Sequence, residues 1–424
     1  MRLIPEVTLS DKIKISKEYI TDKELSSEFV YHLDDGFVTT LQEDEENWYL
    51  GIGCLPRLNV ENVIDNRISK KLDQKVEFKA TLKPAQERTL QQFVKEENYD
   101  SGILKAKCGW GKSFWGVKLV TEAGDHTMIL MHTKLLQDQW RELFLKFTDY
   151  DPGMIGDGVF NPKPITLGLY ISVNNRLDEI KNNYGRVIVD EVHRCGAELF
   201  SDTLTRFPAR YKNGMSATPS RRDGKHVLFN DYFSDRFVEA EEYRDLIKPD
   251  VDIRQVPFKF EVRNPTTDWA RALTKIYSNT DYLDMIVGHA NSLIADGRTV
   301  LILGGRVEAL EYLQERILFS AVLIGKTKNR DEIVSGIGTK YKCVLSTTIF
   351  DEGLSAHLLD TLFLTGPIGK NFQLLEQRIG RIQREHPDKQ PALIVAYWLQ
   401  NHILAKQQSI EHRWYLSKNY KILT

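Results

Sequence analysis

The residues with the clearest chemical potential form one run, Ala106-Lys107-Cys108-Gly109-Trp110-Gly111-Lys112-Ser113. It follows a strand-like apolar segment, GILK, and opens a helix-like one, FWGVKLVTEAG. In that setting the backbone N–H groups of a turn containing Gly109 and Gly111 converge with the helix N-terminus on phosphate oxygens. Lys112 then reaches the outer phosphates of a nucleotide, and the Ser113 hydroxyl ligates magnesium. Ala106 stands where this loop pattern usually has its first glycine. Eight such residues alone also fit an ordinary glycine turn, and Trp110 is expected to serve packing.

A phosphate-bound metal needs a carboxylate to hold it and a group to orient the attacking water. Asp190-Glu191-Val192-His193, directly after the apolar run RVIV, supplies both. Asp190 falls at the carboxyl end of a strand, where parallel sheets bind their ligands, and is the candidate metal ligand. Glu191 is the candidate for polarising the hydrolytic water, and His193 for coupling that event to neighbouring segments. An acidic pair at a strand end is by itself usually solvated surface. The phosphate loop upstream gives this one a partner.

To bring these groups together the chain must build a parallel sheet. From Leu82 onward the apolar runs GILKAKCG, TMILMHT, ITLGLYIS, RVIVDEV and NGMSAT alternate with helical or polar stretches, the signature of strands joined by crossover helices. The alternation pauses around Glu241 to Asp252. It then resumes with a helix through Asp268 to Asp296, a strand TVLILG, a helix VEALEYLQERI, and strands SAVLIG, CVLSTT, TLFLTG and ALIVAYW. The expected class is α/β, with tandem parallel-sheet domains at 79–243 and 244–400. Residues 1–78 carry the short runs SEFVYHL, GFVTTL and NWYLGIGCL, and read as a small β-rich domain. Residues 401–424 read as a C-terminal helical extension, whose Trp414, Tyr415 and Tyr420 are expected to pack on the preceding domain rather than stack on bases.

Composition excludes other classes. With 42% hydrophobic and 27% charged residues, the 424-residue chain is of globular type, and it exceeds the roughly 250 to 300 residues at which single cores stop growing. No apolar run approaches the roughly 20 residues that span a bilayer, and the start MRLIPEVTLSDKIK lacks the apolar core of a signal peptide. A cytoplasmic protein without a membrane partner is expected. Cys54, Cys108, Cys195 and Cys343 have no spacing that indicates a zinc ribbon or disulfide framework. The net charge of −2 is unevenly spread: residues 1 to 47 hold five Lys or Arg against twelve Asp or Glu, and residues 365 to 424 hold nine against four. The basic end is compatible with phosphate contacts, or with a solvated helical face.

In chain order from about residue 82 to 385, these motifs resemble superfamily 2 helicases of the Asp-Glu-x-His class, with further likeness to phage UvsW-type branch-migration helicases and to the XPB branch. The resemblance implies two RecA-like domains that use ATP and Mg2+. Leu82-Lys83-Pro84-Ala85-Gln86 is similar to the segment in which Gln86 would recognise adenine. Met131-His132-Thr133 to Trp140 is similar to a segment that touches the nucleic-acid backbone near Thr133. Ser216-Ala217-Thr218-Pro219 matches the motif linking hydrolysis to domain movement, giving Ser216 and Thr218 coupling roles, and Arg221-Arg222-Asp223 resembles a charged motif of the XPB branch. Ser346 to Leu354 looks like the motif touching both strand and nucleotide, through Thr348 on the one side and Asp351 and Gly353 on the other. Arg306 follows TVLILGG, where the family carries a further nucleic-acid contact. Leu169 departs from the pattern, standing where the family has threonine.

Gln377-Arg378-Ile379-Gly380-Arg381-Ile382-Gln383-Arg384 matches the family's arginine motif. Gln377 would help orient the γ-phosphate or water, while Arg381 and Arg384 would stabilise transferring phosphate from a second domain, making hydrolysis depend on domain approach. The expected activity is ATP-dependent translocation on DNA, with unwinding or branch migration of forked and four-way junctions by a monomer in a bacterial or phage-infected cytoplasm. Single-strand-binding or recombination proteins are the expected partners. The alternatives are a duplex translocase that remodels protein–DNA complexes, an RNA helicase, and an ATP-gated DNA-binding scaffold subunit.

Overall fold

In the segment TMILM every residue of the strand Thr127–Met131 is buried, yet neighbours point opposite ways. Ile129 and Met131 join one hydrophobic cluster, Met128 and Leu130 another. Such a run needs a helix layer on each face of a parallel sheet. The computed structural model shows that arrangement twice. It describes every residue except 35, 96–97, 108, 195–197, 218–223, 242–246, 260–268, 326, 348–357, 367–371, 384–385, 401 and 424. The chain divides into two compact units, Met1–Tyr243 and Arg244–Thr424.

Among the described residues the main sheet of the first unit has eight strands, in the spatial order Val159–Asn161, Gly153–Gly156, Ile165–Leu169, Thr127–Met131, Arg186–Asp190, Tyr211–Ser216, Gly102–Lys105, Phe237–Glu239. All neighbours run parallel except the edge hairpin Gly153–Gly156/Val159–Asn161. The carboxyl ends of the adjacent strands Arg186–Asp190 and Tyr211–Ser216 therefore deliver Asp190 and Ser216 side by side. Two helices complete the site's frame: Lys112–Ala123 after the phosphate loop, and Lys134–Phe147 after Thr127–Met131. The latter starts at Thr133, whose hydroxyl accepts from Leu136 N–H at 3.3 Å, and buries Leu136, Gln137, Trp140 and Phe144 along one stripe.

The N-terminal residues form a separate sheet in the order Gln42–Glu43, Asn47–Leu50, Ile13–Ser16, Ile4–Leu9, Val60–Asp65, with its own core around Ile4, Ile13, Phe29 and Leu50. It docks backbone to backbone. A Cβ on Gly53 would lie 1.8 Å from the Asn230 carbonyl, and one on Gly51 2.2 Å from that of Asp231. The run SEFVYHL is split, contrary to its reading as an alternating strand: Asp22–Phe29 is helical and only Val30–Leu33 is extended. Leu25 and Phe29, four apart, give the helix one buried face, and the Glu24 carboxylate caps it by accepting from Thr21 N–H at 3.2 Å.

In the second unit the described sheet runs Ser320–Leu323, Cys343–Ser346, Val300–Leu303, Thr361–Leu364, Leu393–Gln400, Asp250–Lys259, Ile422–Leu423, all parallel. Asp250–Lys259 lies largely beyond the pause in the pattern, its polar residues disguising a ten-residue strand. The expected helix from Asp268 is two, Trp269–Tyr277 and Thr280–Ala295, because the Asn279 side chain accepts from Tyr282 N–H at 3.1 Å and starts a new one. The C-terminal extension is the helix His402–Ser417, then Ile422–Leu423 returning as an edge strand rather than more helix. Trp414 stacks on Phe372 at 5.6 Å and 17°, and touches Tyr415 and Tyr420, so these aromatics pack. No helix among the described residues is long and apolar enough to cross a membrane.

Candidate active site

The phosphate loop is shaped by two glycines in the left-handed region, Gly109 at φ 83° and Gly111 at φ 91°. Gly111 is also fixed by space, since a Cβ there would meet Gln86 Nε2 at 2.8 Å. Gln86 is buried and braces the loop: its amide donates to Trp110 O at 2.9 Å and accepts from Lys83 N–H at 3.0 Å. One N–H and one lone pair of that amide are left over by these two bonds. Trp110 is buried and donates to Glu241 O at 2.9 Å, a packing role. Ala106, in place of the first glycine, is buried in the core beneath the loop. Cys108 lies outside the described residues.

Lys112 and Ser113 open the helix and meet the Asp-Glu pair. Ser113 Oγ lies 3.5 Å from Asp190 Oδ2, and Lys112 Nζ lies 3.7 Å from Glu191 Oε1. Glu191 has φ 55°, a conformation that non-glycine residues rarely adopt and that turns the chain sharply out of its strand. The turn brings His193 back toward the site. Its Nδ1 lies 2.8 Å from Ser216 Oγ and 3.3 Å from Glu191 Oε2. A continuous contact path thus runs Lys112, Glu191, His193, Ser216. Thr218 lies outside the described residues.

The two carboxylates are electrostatically distinct. Burial pushes Asp190 up and the adjacent Glu191 charge adds to this, against lowering by the Trp140 N–H and Lys112. Burial acts on Glu191 in the same direction, but Lys112 and then His193 overcome it and hold Glu191 below the usual carboxylate range. Glu191 is therefore kept ionised, as a water-polarising base requires. The donor set fits magnesium. A hydroxyl and a carboxylate are hard oxygen ligands, and this ion ordinarily completes its shell with phosphate oxygens and water. Ser113 and Asp190 would hold it, and it would neutralise phosphate charge.

In the second unit, Gln377 is buried on the helix Phe372–Ile379, with Arg381 in the turn that follows it. The C-terminal helix supports this segment: Trp414 stacks on Phe372, and Lys418 pairs with Glu376. Gln383 donates to Ile247 O at 3.1 Å. Arg306 hydrogen-bonds Ala270 O at 3.0 Å and Thr274 Oγ1 at 3.3 Å, tying it to the helix Trp269–Tyr277. Thr133 has its oxygen engaged as the helix cap, with the O–H proton still available to a phosphate. Leu169, the departure from threonine, packs against Gly156, where a Cβ would come within 2.6 Å of it. Thr348, Asp351, Gly353 and Arg384 lie outside the described residues.

Sequence reasoning missed Trp140, whose indole donates to Asp190 Oδ2 at 2.7 Å across fifty positions of chain. One more tryptophan on an amphipathic helix carries no local signal of such a contact.

Residues 79–221 match the family described as type III restriction enzyme, res subunit, and residues 281–386 match the helicase conserved C-terminal domain. The probable helicase D10 of Escherichia phage T5 is 30% identical over 340 residues, covering 78% of this chain and 75% of the phage protein. The chain is a superfamily 2 helicase. The helicase is also 28% identical over 379 residues to the DNA 3'-5' translocase XPB2 of Sulfurisphaera tokodaii, covering 79% of its own length and 84% of the archaeal protein. Its fold is that of S. cerevisiae Dbp5 bound to RNA and ADP BeF3, with a TM-score of 0.59 over 80% of this chain and 89% of that one at 13% identity. That likeness concerns the fold alone. The expected class, α/β with tandem RecA-like domains, holds, and membership makes the helicase an ATP-hydrolysing enzyme.

Proposed function

We propose that this helicase translocates on DNA and unwinds or branch-migrates forks and four-way junctions in replication, recombination or repair. The observation carrying the motor reading is the contact path from Lys112 through Glu191 and His193 to Ser216, which joins the phosphate loop to the strand end that precedes Thr218. DNA as the track is supported by the likeness to a DNA 3'-5' translocase. Lys112, with Gly109 and Gly111, holds the phosphates, Gln86 reads adenine, and Ser113 and Asp190 take the metal. Glu191 orients water, and Gln377, Arg381 and Arg384 act on the γ-phosphate, with Asp351 and Gly353 at the nucleotide. Thr133, Arg306 and Thr348 contact the nucleic-acid backbone, since a motor stepping along any sequence cannot depend on base-edge readout. His193, Ser216 and Thr218 couple hydrolysis to movement.

A second reading, a duplex translocase that does not separate strands, is favoured by the name of the archaeal relative and by the match to the res subunit of type III restriction enzymes. ATP-dependent strand displacement at low salt on a four-way junction, a fork, a plain duplex and an RNA duplex, with Lys112→Ala as control, separates the two. Preferential processing of junction and fork is expected. ATPase stimulated by duplex DNA without displacement would establish the translocase instead, and a response to RNA alone would overturn the DNA assignment.

A further inference from the structure

Trp140 takes no part in the phosphate chemistry, yet its side chain ends on the metal carboxylate. It is wholly buried on the helix Lys134–Phe147. Its indole N–H donates at 2.7 Å to Asp190 Oδ2, the oxygen that also lies 3.5 Å from Ser113 Oγ. The other oxygen, Oδ1, accepts the Glu191 backbone N–H at 2.9 Å. An aspartate carboxyl is broadly free to rotate about its last torsion. With a donor on each oxygen, this one has its plane fixed and keeps lone pairs for a metal.

A second feature supports the same purpose. Gly116, on the phosphate-loop helix, lies so close to the indole that a Cβ would meet Trp140 Cη2 at 2.4 Å. A side chain at that position would push the ring off its course toward Asp190. The loop helix, the indole and the metal-bearing strand are thus built against one another.

We propose that Trp140 is a positioning residue for Asp190, its N–H setting the carboxylate plane in which magnesium is received. The inference rests on reading Asp190 as the metal ligand. Groups that hydrogen-bond a metal's ligand typically change metal affinity by roughly 10–100-fold when removed.

The test uses the full chain with ATP and Mn2+ as an ion visible by electron paramagnetic resonance. Trp140→Phe keeps an aromatic ring and removes the donor. Benzothienylalanine incorporated at position 140 keeps the shape of the indole, replaces its N–H by sulfur, and guards against a folding defect of the smaller ring. Both proteins are expected to bind Mn2+ about tenfold more weakly than wild type in the nucleotide complex, with metal-free ATP affinity unchanged. Asp190→Asn, the reference, is expected to lose more. Wild-type Mn2+ affinity in both position-140 proteins beside a loss in Asp190→Asn would overturn the inference. Wild-type affinity in all three would remove Asp190 from the metal and take the inference with it.

Discussion

Lys112, Glu191, His193 and Ser216 are spread over more than a hundred positions of chain, yet each touches the next. The path separates chemistry from its use. Glu191 is held ionised by Lys112 and His193, and Ser216 meets the same His193 nitrogen, Nδ1, that faces Glu191. Ser216→Ala removes the last contact without touching Lys112 or Glu191. We expect DNA-stimulated ATP turnover to stay within a few-fold of wild type, a loss on the order of one hydrogen bond, while strand displaced per ATP falls severalfold. Equal loss of both rates would show that the serine serves hydrolysis itself. The phosphate loop and the Asp-Glu-x-His run were legible because their chemistry is local, a turn beside a helix and acids at a strand end. The Trp140 bond to Asp190, and the left-handed backbone at Glu191 that swings His193 into reach, are tertiary facts with no short-range trace.

At the scale of elements, strands buried on both faces announced themselves, and polar or mixed elements did not. Thr127–Met131 is a continuous apolar run, while Asp250–Lys259 mixes Asp, Arg and Gln and gains its place only by pairing with Leu393–Gln400. The docking of the N-terminal sheet was equally hidden, because it depends on Gly51 and Gly53 and on one buried acid. Asp231 is fully buried, pairs with Arg57, and accepts from Tyr31 at 2.8 Å and Thr40 at 2.9 Å. Arg57→Ala leaves that charge without its cation and should destabilise the first unit by about 3 kcal/mol, visible as a lowered melting temperature. An unchanged melting temperature would show that the hydroxyls alone satisfy Asp231. The C-terminal helix offers a test by pH. Burial raises Glu411 to about 7, against the Tyr415 hydroxyl that donates to it at 2.5 Å. For an acid raised on folding, the stabilising effect is complete below the ordinary value of 4.5 and is lost as pH rises through 7. Glu411→Gln should therefore match wild type near pH 4 and exceed it at pH 8, by about 2 kcal/mol once partial exposure is allowed for. A stability difference that does not change with pH would contradict this.

At the scale of the whole molecule, the Gly109–Ser113 loop and the Asp190-Glu191 pair belong to one compact unit and the arginine motif to the other. That division was readable because each unit repeats the strand and helix alternation of a parallel sheet. If hydrolysis at Glu191 is what drives movement on DNA, stopping the chemical step must stop the motor even when nucleotide and DNA are both bound. The most direct measurement is therefore made on Glu191→Gln, recording ATP binding, DNA-stimulated turnover and displacement of a forked substrate in one set of conditions. We predict ATP binding like wild type, turnover lower by roughly a hundredfold or more, as loss of a general base entails, and displacement lost with it. Turnover and displacement at the wild-type rate would contradict the central claim and move the water-activating role to another residue.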